Sequence, residues 1–215
     1  KPHEYGSCQN RLSVINTPAG LFYMSQNQGK IFQVGTGIAE ISNVMMKWWF
    51  SKYLPYKLTK DFPDFELIDN PITGIGCQAV FDNDNQVCFF SKKDYQLKKN
   101  IRDVVEYSGK GNNFSVNGRL KIELGDPRYF DDASWTVSYD PKSKGWISYH
   151  DWHPDLNLGT KDYFISTKNL LYLLIKVPCN NLSLNFIRYQ YYQNMIKVNK
   201  KVNAAIIIIG NEILS

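Results

Sequence analysis

The side chains best suited to chemistry lie close together between residues 150 and 155. This stretch holds two histidines and two aspartates, and two more aspartates lie upstream; the group is Asp131, Asp132, His150, Asp151, His153 and Asp155. Imidazoles and carboxylates are the residue types that bind zinc or act as a general acid and base. No other part of the chain is as dense in catalytic residue types.

The spacing of the two histidines argues against such a site. The residues before His150 alternate as in a β-strand, and side chains three positions apart on a strand point to opposite faces. Pro154 then ends the element, because proline lacks the amide hydrogen of a strand ladder. The pattern favours a loop with polar caps, so the sequence predicts no catalytic residue, no metal ligand and no cofactor.

Two further patterns resemble ligand sites only in part. The acidic turn at residues 82–86 begins like a calcium loop, but Lys93 stands where that loop needs a bidentate Glu. The segment Gly35-Thr36-Gly37 suggests a dinucleotide loop, but Glu40 replaces the third glycine, and its charge would oppose a pyrophosphate. A polar turn and a helix inserted between two β elements explain these residues more simply.

A central β-hairpin must position the residues around His150. Residues 135–139 alternate aromatic and β-branched side chains with Thr and Ser, and a similar strand resumes after Gly145. In the turn between them, Pro141 fixes the first corner and Asp140 can accept hydrogen bonds from turn amides. Gly145 is expected to take a positive φ at the exit of the turn.

The hairpin pattern recurs along the chain. Residues 21–34 and 80–91 each combine two apolar strands with a polar turn, and Asn-Gly at residues 117–118 predicts another hairpin. Three aromatic positions are spaced by 58 residues, namely Tyr23, Phe81 and Tyr139. Such an interval is typical of β-propeller blades, although other all-β and α+β proteins also contain hairpins.

The sequence therefore predicts a mainly β fold, with antiparallel hairpins in an incomplete, propeller-like repeat and one inserted amphipathic helix. The helix is expected to span about 15 residues and to end before Pro55. Its apolar positions are Ile38, Ile41, Val44, Met45, Trp48 and Trp49. Residues 1–168 are assigned to the β domain, and residues 169–215, which lack the hairpin pattern, to an atypical C-terminal extension.

Composition and charge narrow the functional classes. Of the 215 residues, 43% are hydrophobic and 14% aromatic, which argues against disorder. The net charge of +5 comes from dispersed lysines, which does not favour nucleic-acid binding. The sequence predicts no membrane span, and it favours buried thiols over a bridge between Cys77 and Cys88. Because three blades do not close a propeller, we expect a fragment of a larger protein.

Four segments carry a resemblance to a known family. They read YGSCQNRLSVINTPAGLFYMSQNQGKIFQV at residues 5–34, MKWWF at 46–50, DNPITGIGCQAVFDNDNQVCFFSKKDY at 69–95, and DASWTVSYDPKSKGWISYHDWHPDL at 132–156. Over residues 5–168 the chain resembles the tail muzzle, or nozzle, protein of crAss-like bacteriophages. None of the segments is a catalytic signature, so no single functional residue is carried over.

The resemblance implies a structural role in a phage virion tail. Such a subunit would form a homo-oligomeric ring with propeller-like parts, contact other tail proteins, and contribute to tail-end assembly and to retention and ejection of DNA. Contact with the phage DNA would be indirect, and no enzymatic activity or cofactor is implied. An aromatic-rich β body built from repeats is consistent with an assembly subunit.

Two alternatives stay open. A carbohydrate-binding or carbohydrate-cleaving propeller would need paired carboxylates in a cleft lined by Trp135, Trp146 or Trp152. A molybdopterin- or nucleotide-binding protein is suggested by residues 195–215, which resemble the opening of a CinA-like molybdopterin-binding domain with a buried parallel strand at 204–209. That resemblance is short, so we expect the residues after 168 to be read-through or a joined reading frame that packs poorly on the rest.

Overall fold

The computed structural model describes residues 6–67, 69, 71–159 and 164–168, together with the backbone of a strand at 206–209. Over this part the fold is mainly β, with antiparallel sheets and two short α-helices. The strands are β1 (Ile15–Thr17), β2 (Gly20–Ser25), β3 (Lys30–Val34), β4 (Ile38–Glu40), β5 (Gly76–Asp82), β6 (Val87–Lys93), β7 (Tyr95–Leu97), β8 (Val105–Tyr107), β9 (Phe114–Val116), β10 (Leu120–Ile122), β11 (Phe130–Asp132), β12 (Trp135–Asp140), β13 (Gly145–His150), β14 (Leu156–Gly159), β15 (Phe164–Thr167) and β16 (Ile206–Ile209). The helices are α1 (Lys47–Tyr53) and α2 (Leu58–Asp61).

Two four-stranded antiparallel sheets form the body of the fold. Sheet A has the order β1-β2-β3-β4, and sheet B has the order β5-β6-β12-β13. The predicted hairpins at residues 21–34, 80–91 and 135–149 are all present, as β2–β3, β5–β6 and β12–β13. The hairpins β5–β6 and β12–β13 join through β6 and β12, with Tyr139 opposite Cys88. Sheet B is therefore made of two hairpins, and not of one hairpin as a simple repeat would predict.

The three hairpins close with turns of the same geometry. Each turn has four residues, and the fourth is left-handed: φ is 65° at Gly29, 56° at Gln86 and 56° at Lys144. The positive φ expected at Gly145 therefore falls one residue earlier, on Lys144. The Asn-Gly hairpin is confirmed as β9–β10, with positive φ at both Asn117 and Gly118, as a type I′ turn requires.

The shared turn geometry corrects the 58-residue interval. Counted from the turns, the residue equivalent to Phe81 and Tyr139 is Met24, which is fully buried, rather than Tyr23. A shift of one residue reverses the face of a strand, and Tyr23 accordingly stacks on Phe32 at 5.2 Å between ring centroids instead of entering the main core. The regular interval therefore relates the three turns to one another, and the three aromatic residues do not occupy equivalent positions.

The predicted 15-residue helix is wrong over its first half. Ile38 pairs with Val34 in strand β4, and a 3-10 turn at Ile41–Asn43 follows. The turn at residues 35–37 reverses the chain onto β3, and Met45 has a φ of 59°, which a right-handed helix does not accommodate. Only the second half of the pattern is helical, as the seven residues of α1.

The main core lies between sheet A, one face of sheet B and α1. Phe22 of β2 lies 6.0 Å from Tyr139 and 6.3 Å from Phe90, while Phe50 of α1 lies 4.6 Å from Trp146, measured between ring centroids. The opposite face of sheet B is also covered, by a smaller cluster of Val80, Phe89 and Phe164. Strands β5, β6 and β12 are therefore buried on both faces, and β13 is mostly exposed.

Three smaller sheets surround this body: β8-β9-β10, β7-β11 and β14-β15-β16. Strand β16 runs antiparallel to β15, with Phe164 opposite Ile209, whereas the C-terminal resemblance predicts a parallel strand there. The rest of the predicted extension, residues 169–205 and 210–215, lies outside the described residues. Neither of the two described helices has the length and apolarity that a membrane crossing requires.

Candidate functional site

His150, at the end of β13, is part of the packing of sheet B. Its Nε2 lies 3.0 Å from the Ser138 hydroxyl, and its ring lies against Phe89 and Trp152, at 5.2 and 5.8 Å between centroids. Burial lowers the pKa of His150, because the charged imidazolium is poorly solvated there. The side chain therefore stabilises the covered face of the sheet.

His153 forms a separate pair with Asp132. Its Nδ1 lies 3.3 Å from Asp132 Oδ2, and the backbone amide of Ser134 donates to Asp132 Oδ1 over 2.8 Å. Burial alone would raise the pKa of Asp132, but the hydrogen bonds from His153 and Ser134 outweigh it and hold the pKa well below its usual range. The structure thus places the two histidines in different contacts.

The remaining carboxylates of the predicted cluster are also separated. Asp155 forms a nearly buried ion pair with Lys93 at 2.5 Å, and Asp131 lies 4.0 Å from Lys98 at the surface. Asp151 is exposed at the end of β13. Within the described part of the chain, no group of three or more His, Cys, Asp or Glu side chains is arranged to hold a metal ion.

The two partial ligand patterns have structural roles. Asp82 accepts hydrogen bonds from the backbone amides of Asp84 and Asn85 over 3.0 and 3.2 Å, and from the Asn85 side chain over 2.7 Å. This is the polar turn favoured by the sequence. The Gly35 amide donates to the Gly37 carbonyl, and the chain then enters strand β4 instead of a helix, so the strand-loop-helix geometry of a dinucleotide loop is missing here.

The three tryptophans considered for a carbohydrate cleft are packing residues. Trp135 is 8% exposed and donates its indole N–H to the carbonyl of Tyr53 over 3.1 Å. Trp146 donates to the carbonyl of Ile41 over 3.3 Å, and Trp152 packs on Phe89. The indole N–H groups of Trp135 and Trp146 are bound inside the fold, and Trp152 packs on the other side of sheet B, so the three do not line a binding cleft together.

The most constrained polar group was not anticipated from the sequence. Lys92 and Asp94, at the end of β6, form an ion pair of 2.7 Å in which both side chains are completely buried. Lys92 stands beside Lys93 in the sequence, and nothing in the pattern distinguishes the two lysines. Strand alternation is the one sequence signal that could have indicated the burial of Lys92. In the sheet, Lys92 is paired with Cys77 on one side and Trp135 on the other, and both of these face the main core.

The buried pair joins the two helices. Lys92 Nζ donates to the carbonyls of Tyr53 and Pro55 over 2.7 and 3.1 Å, just after α1. Asp94 accepts from the backbone amides of Lys57 and Leu58 over 2.6 and 3.3 Å, at the start of α2. The ion pair therefore provides hydrogen-bond partners for carbonyls at the end of α1 and for amides at the start of α2. These hydrogen bonds compensate for the free-energy cost of removing the two charges from water.

The described cysteines are free thiols, as the sequence favoured for Cys77 and Cys88. Cys77 accepts a weak hydrogen bond from Tyr56 over 3.7 Å, and Tyr56 in turn accepts one from Asn10 over 2.9 Å. Burial raises the pKa of both Cys77 and Cys88 to about 12, so these thiols stay protonated and unreactive. Cys8 is exposed, and Cys179 lies outside the described residues.

Four of the exposed apolar side chains in the described part of the chain belong to α1, the turn before it, and β13. They are Met45 and Trp48, before and within α1, and Ile147 and Tyr149 of β13, with exposed fractions of 99%, 67%, 56% and 57%. We call these four residues the β13 patch. Tyr149 lies against the start of α1, because its ring lies 5.2 Å from Trp49 and its hydroxyl 4.0 Å from Met46 Sδ.

The comparisons with known proteins give no family: no family model matches the chain, and neither a curated protein nor a solved structure matches it.

Proposed function

We propose that the chain is a structural subunit of a phage virion tail, in the muzzle or nozzle ring, and that it is not an enzyme. One observation carries the proposal: the four segments that resemble crAss-like tail muzzle proteins, although scattered along the chain, assemble into one core. They supply Phe22 from sheet A, Phe50 from α1, and Phe90 and Tyr139 from sheet B, which all belong to the same hydrophobic cluster.

The use of the polar residues supports the same proposal. The candidate catalytic side chains contribute to stability: His150 binds Ser138, His153 binds Asp132, and Asp155 binds Lys93. A rigid body in which aromatic side chains and ion pairs join distant segments suits a subunit that carries mechanical load in an assembly.

We further infer that sheets A and B are two blades of a propeller-like arrangement. Each has four antiparallel strands, which follow one another directly along the chain in sheet A and are interrupted by β7–β11 between β6 and β12 in sheet B. The two sheets pack through Phe22, Phe90 and Tyr139. Four-stranded antiparallel sheets are the units of a propeller. A homo-oligomeric ring, contacts with other tail proteins and indirect contact with DNA follow from the proposal.

The test is location in virus particles. An antibody raised against the purified chain is applied to particles from the source sample, purified on a density gradient and treated with protease to remove adsorbed protein. We expect gold label at the tail tip and peptides from residues 6–159 in the mass spectra of the particles. Peptides confined to the cellular fraction, with a known capsid protein detected in the particles as control, would reject the tail assignment.

A further inference from the structure

The outer edge of sheet B is open. Strand β13 pairs with β12 on one side, and no strand among the described residues pairs with its other side. Its six residues read GWISYH and carry no acidic residue, Lys or Arg, and no proline. Soluble proteins usually protect such edges with lysines, prolines or bulges, because the unpaired backbone groups attract another strand. Here the only such device is a bulge, where the β12–β13 register shifts between Ser138 and Tyr139.

Two residues of the β13 patch, Ile147 and Tyr149, belong to the edge strand itself and add apolar contact area. Met45 is almost fully exposed at the tip of a γ-turn, in which the Met46 amide donates to the Val44 carbonyl over 2.7 Å and φ at Met45 is 59°. A non-glycine residue in this conformation is strained, and such strain persists mainly at functional sites. Methionine adapts its shape to a binding partner, which suits it to a contact surface.

The charges at the two ends of β13 are opposite. Lys142 and Lys144 are exposed in the turn before the strand, and Asp151 is exposed directly after it. Asp140, the last residue of β12, adds one negative charge beside these two lysines and accepts a hydrogen bond from the Lys142 amide over 2.8 Å, so the turn keeps a net positive charge. The strand therefore has a positive end and a negative end around an uncharged, apolar centre.

We propose that β13 pairs antiparallel with β13 of a second copy of this chain, so that two copies of sheet B form one eight-stranded sheet around a two-fold axis. Antiparallel pairing about the centre of the strand places the turn lysines of each copy beside Asp151 of the other, twice by symmetry. A parallel pairing would instead bring like charges together. Charge complementarity thus favours a second copy in the antiparallel direction. This two-fold contact is separate from the head-to-tail contact that the ring proposed above would use.

The inference is tested with the full chain by sedimentation velocity over a range of concentrations. We expect a monomer–dimer equilibrium with a dissociation constant in the micromolar range, about 1–10 µM, for a single strand-pair contact. Ile147→Lys places a charge at the centre of the pair and should abolish the dimer. The matched control is Leu120→Lys, which alters an equally exposed residue of the edge strand β10, at 52% against 56%, and should leave the dimer intact.

The direction of pairing is tested by charge exchange and by cross-linking. The double variant Lys142→Glu/Lys144→Glu should weaken dimerisation about tenfold, and adding Asp151→Lys should restore it. In a Cys8→Ser background, Ile147→Cys should give a disulfide-linked dimer on oxidation, whereas Leu120→Cys should not. Far-ultraviolet circular dichroism confirms that each variant is folded.

Three results would overturn the inference. The first is that the chain remains monomeric at about 100 µM. The second is that folded Ile147→Lys still dimerises. The third is that adding Asp151→Lys to the Lys142→Glu/Lys144→Glu variant does not restore dimerisation. None of them bears on the particle-labelling test, so this inference and the proposed tail function fail separately.

Discussion

Replacing Lys92 by Met should destabilise the protein severely, although the change keeps most of the side-chain volume. The ammonium group donates to Asp94 and to the carbonyls of Tyr53 and Pro55, and all of these contacts are lost. The Tyr53 carbonyl keeps a donor in the indole of Trp135. The carboxylate of Asp94 keeps its backbone donors but is left completely buried without its counter-charge.

Removing one partner of a buried ion pair costs about 3–5 kcal/mol, because the remaining charge is neither solvated nor neutralised. Natural domains are stable by only about 5–15 kcal/mol, so Lys92→Met should remove a large part of the total. The double variant Lys92→Met/Asp94→Asn should lose less than the sum of the two single variants, since it leaves no uncompensated charge in the core.

The assay is urea denaturation followed by tryptophan fluorescence. With a slope of about 2 kcal/mol/M, the midpoint of Lys92→Met should fall by about 2 M relative to the parent. Lys99→Met, at an exposed lysine nearby, serves as the control and should shift the free energy of unfolding by less than about 0.5 kcal/mol. If Lys92→Met unfolds within about 1 kcal/mol of the parent, the ion pair does not join the helices as argued.

Three further predictions concern other parts of the fold. The folded-state pKa of Asp132 is lowered, so its contribution is complete above the unfolded pKa of about 3.9 and is lost as pH falls below that value. Asp132→Asn should therefore flatten the decline of stability between about pH 4.5 and 2.5 in acid titrations monitored by circular dichroism; an unchanged decline would contradict the pairing with His153. Among the described cysteines, only Cys8 should react with iodoacetamide at pH 8, with Cys77 and Cys88 labelled after denaturation, as read by peptide mass spectrometry; native labelling of either buried thiol would contradict their placement. Gly29→Ala should lower the free energy of unfolding by about 2 kcal/mol, because φ is 65° and the added Cβ would lie 2.7 Å from Ser51 Cα and 2.9 Å from the Phe50 carbonyl; an equal urea midpoint would show that the turn does not pack on α1.

The hairpins could be predicted because their signals are local. Turn chemistry at Asp82 and Asp140 fixes where each strand ends, and alternation then fixes which side chains share a face. The way the hairpins combine could not be predicted. Each pattern shows an apolar face to be buried, but not which strand lies beside it, so the pairing of β12 with β6 could not be read from the sequence.

The wrong helix start and the unanticipated burial of Lys92 have a common physical origin, which is that tertiary contacts override local patterns. Ile38 fits the apolar face of a helix. In the structure it pairs with Val34 in a strand, which provides backbone hydrogen bonds, whereas the first N–H groups of a helix would have no partner within the helix. Lys92 and Lys93 look alike in sequence, yet Lys92 is completely buried with Asp94, whereas Lys93 forms a nearly buried pair with Asp155. The sequence predicted that His150 and His153 would point apart on one strand. They do make separate contacts, but the reason differs, because β13 ends at His150 and His153 lies in the following loop.

The pairing of β6 with β12 has a consequence for the order of synthesis on the ribosome. Strand β6 leaves the exit tunnel well before β12, and until β12 arrives its inner edge, an apolar stretch from Val87 to Phe90, has no partner. A nascent chain that has released β6 from the tunnel but not yet β12 would expose a β-strand fit for aggregation, so translation speed and chaperone binding at this stage should determine how much folded protein is obtained.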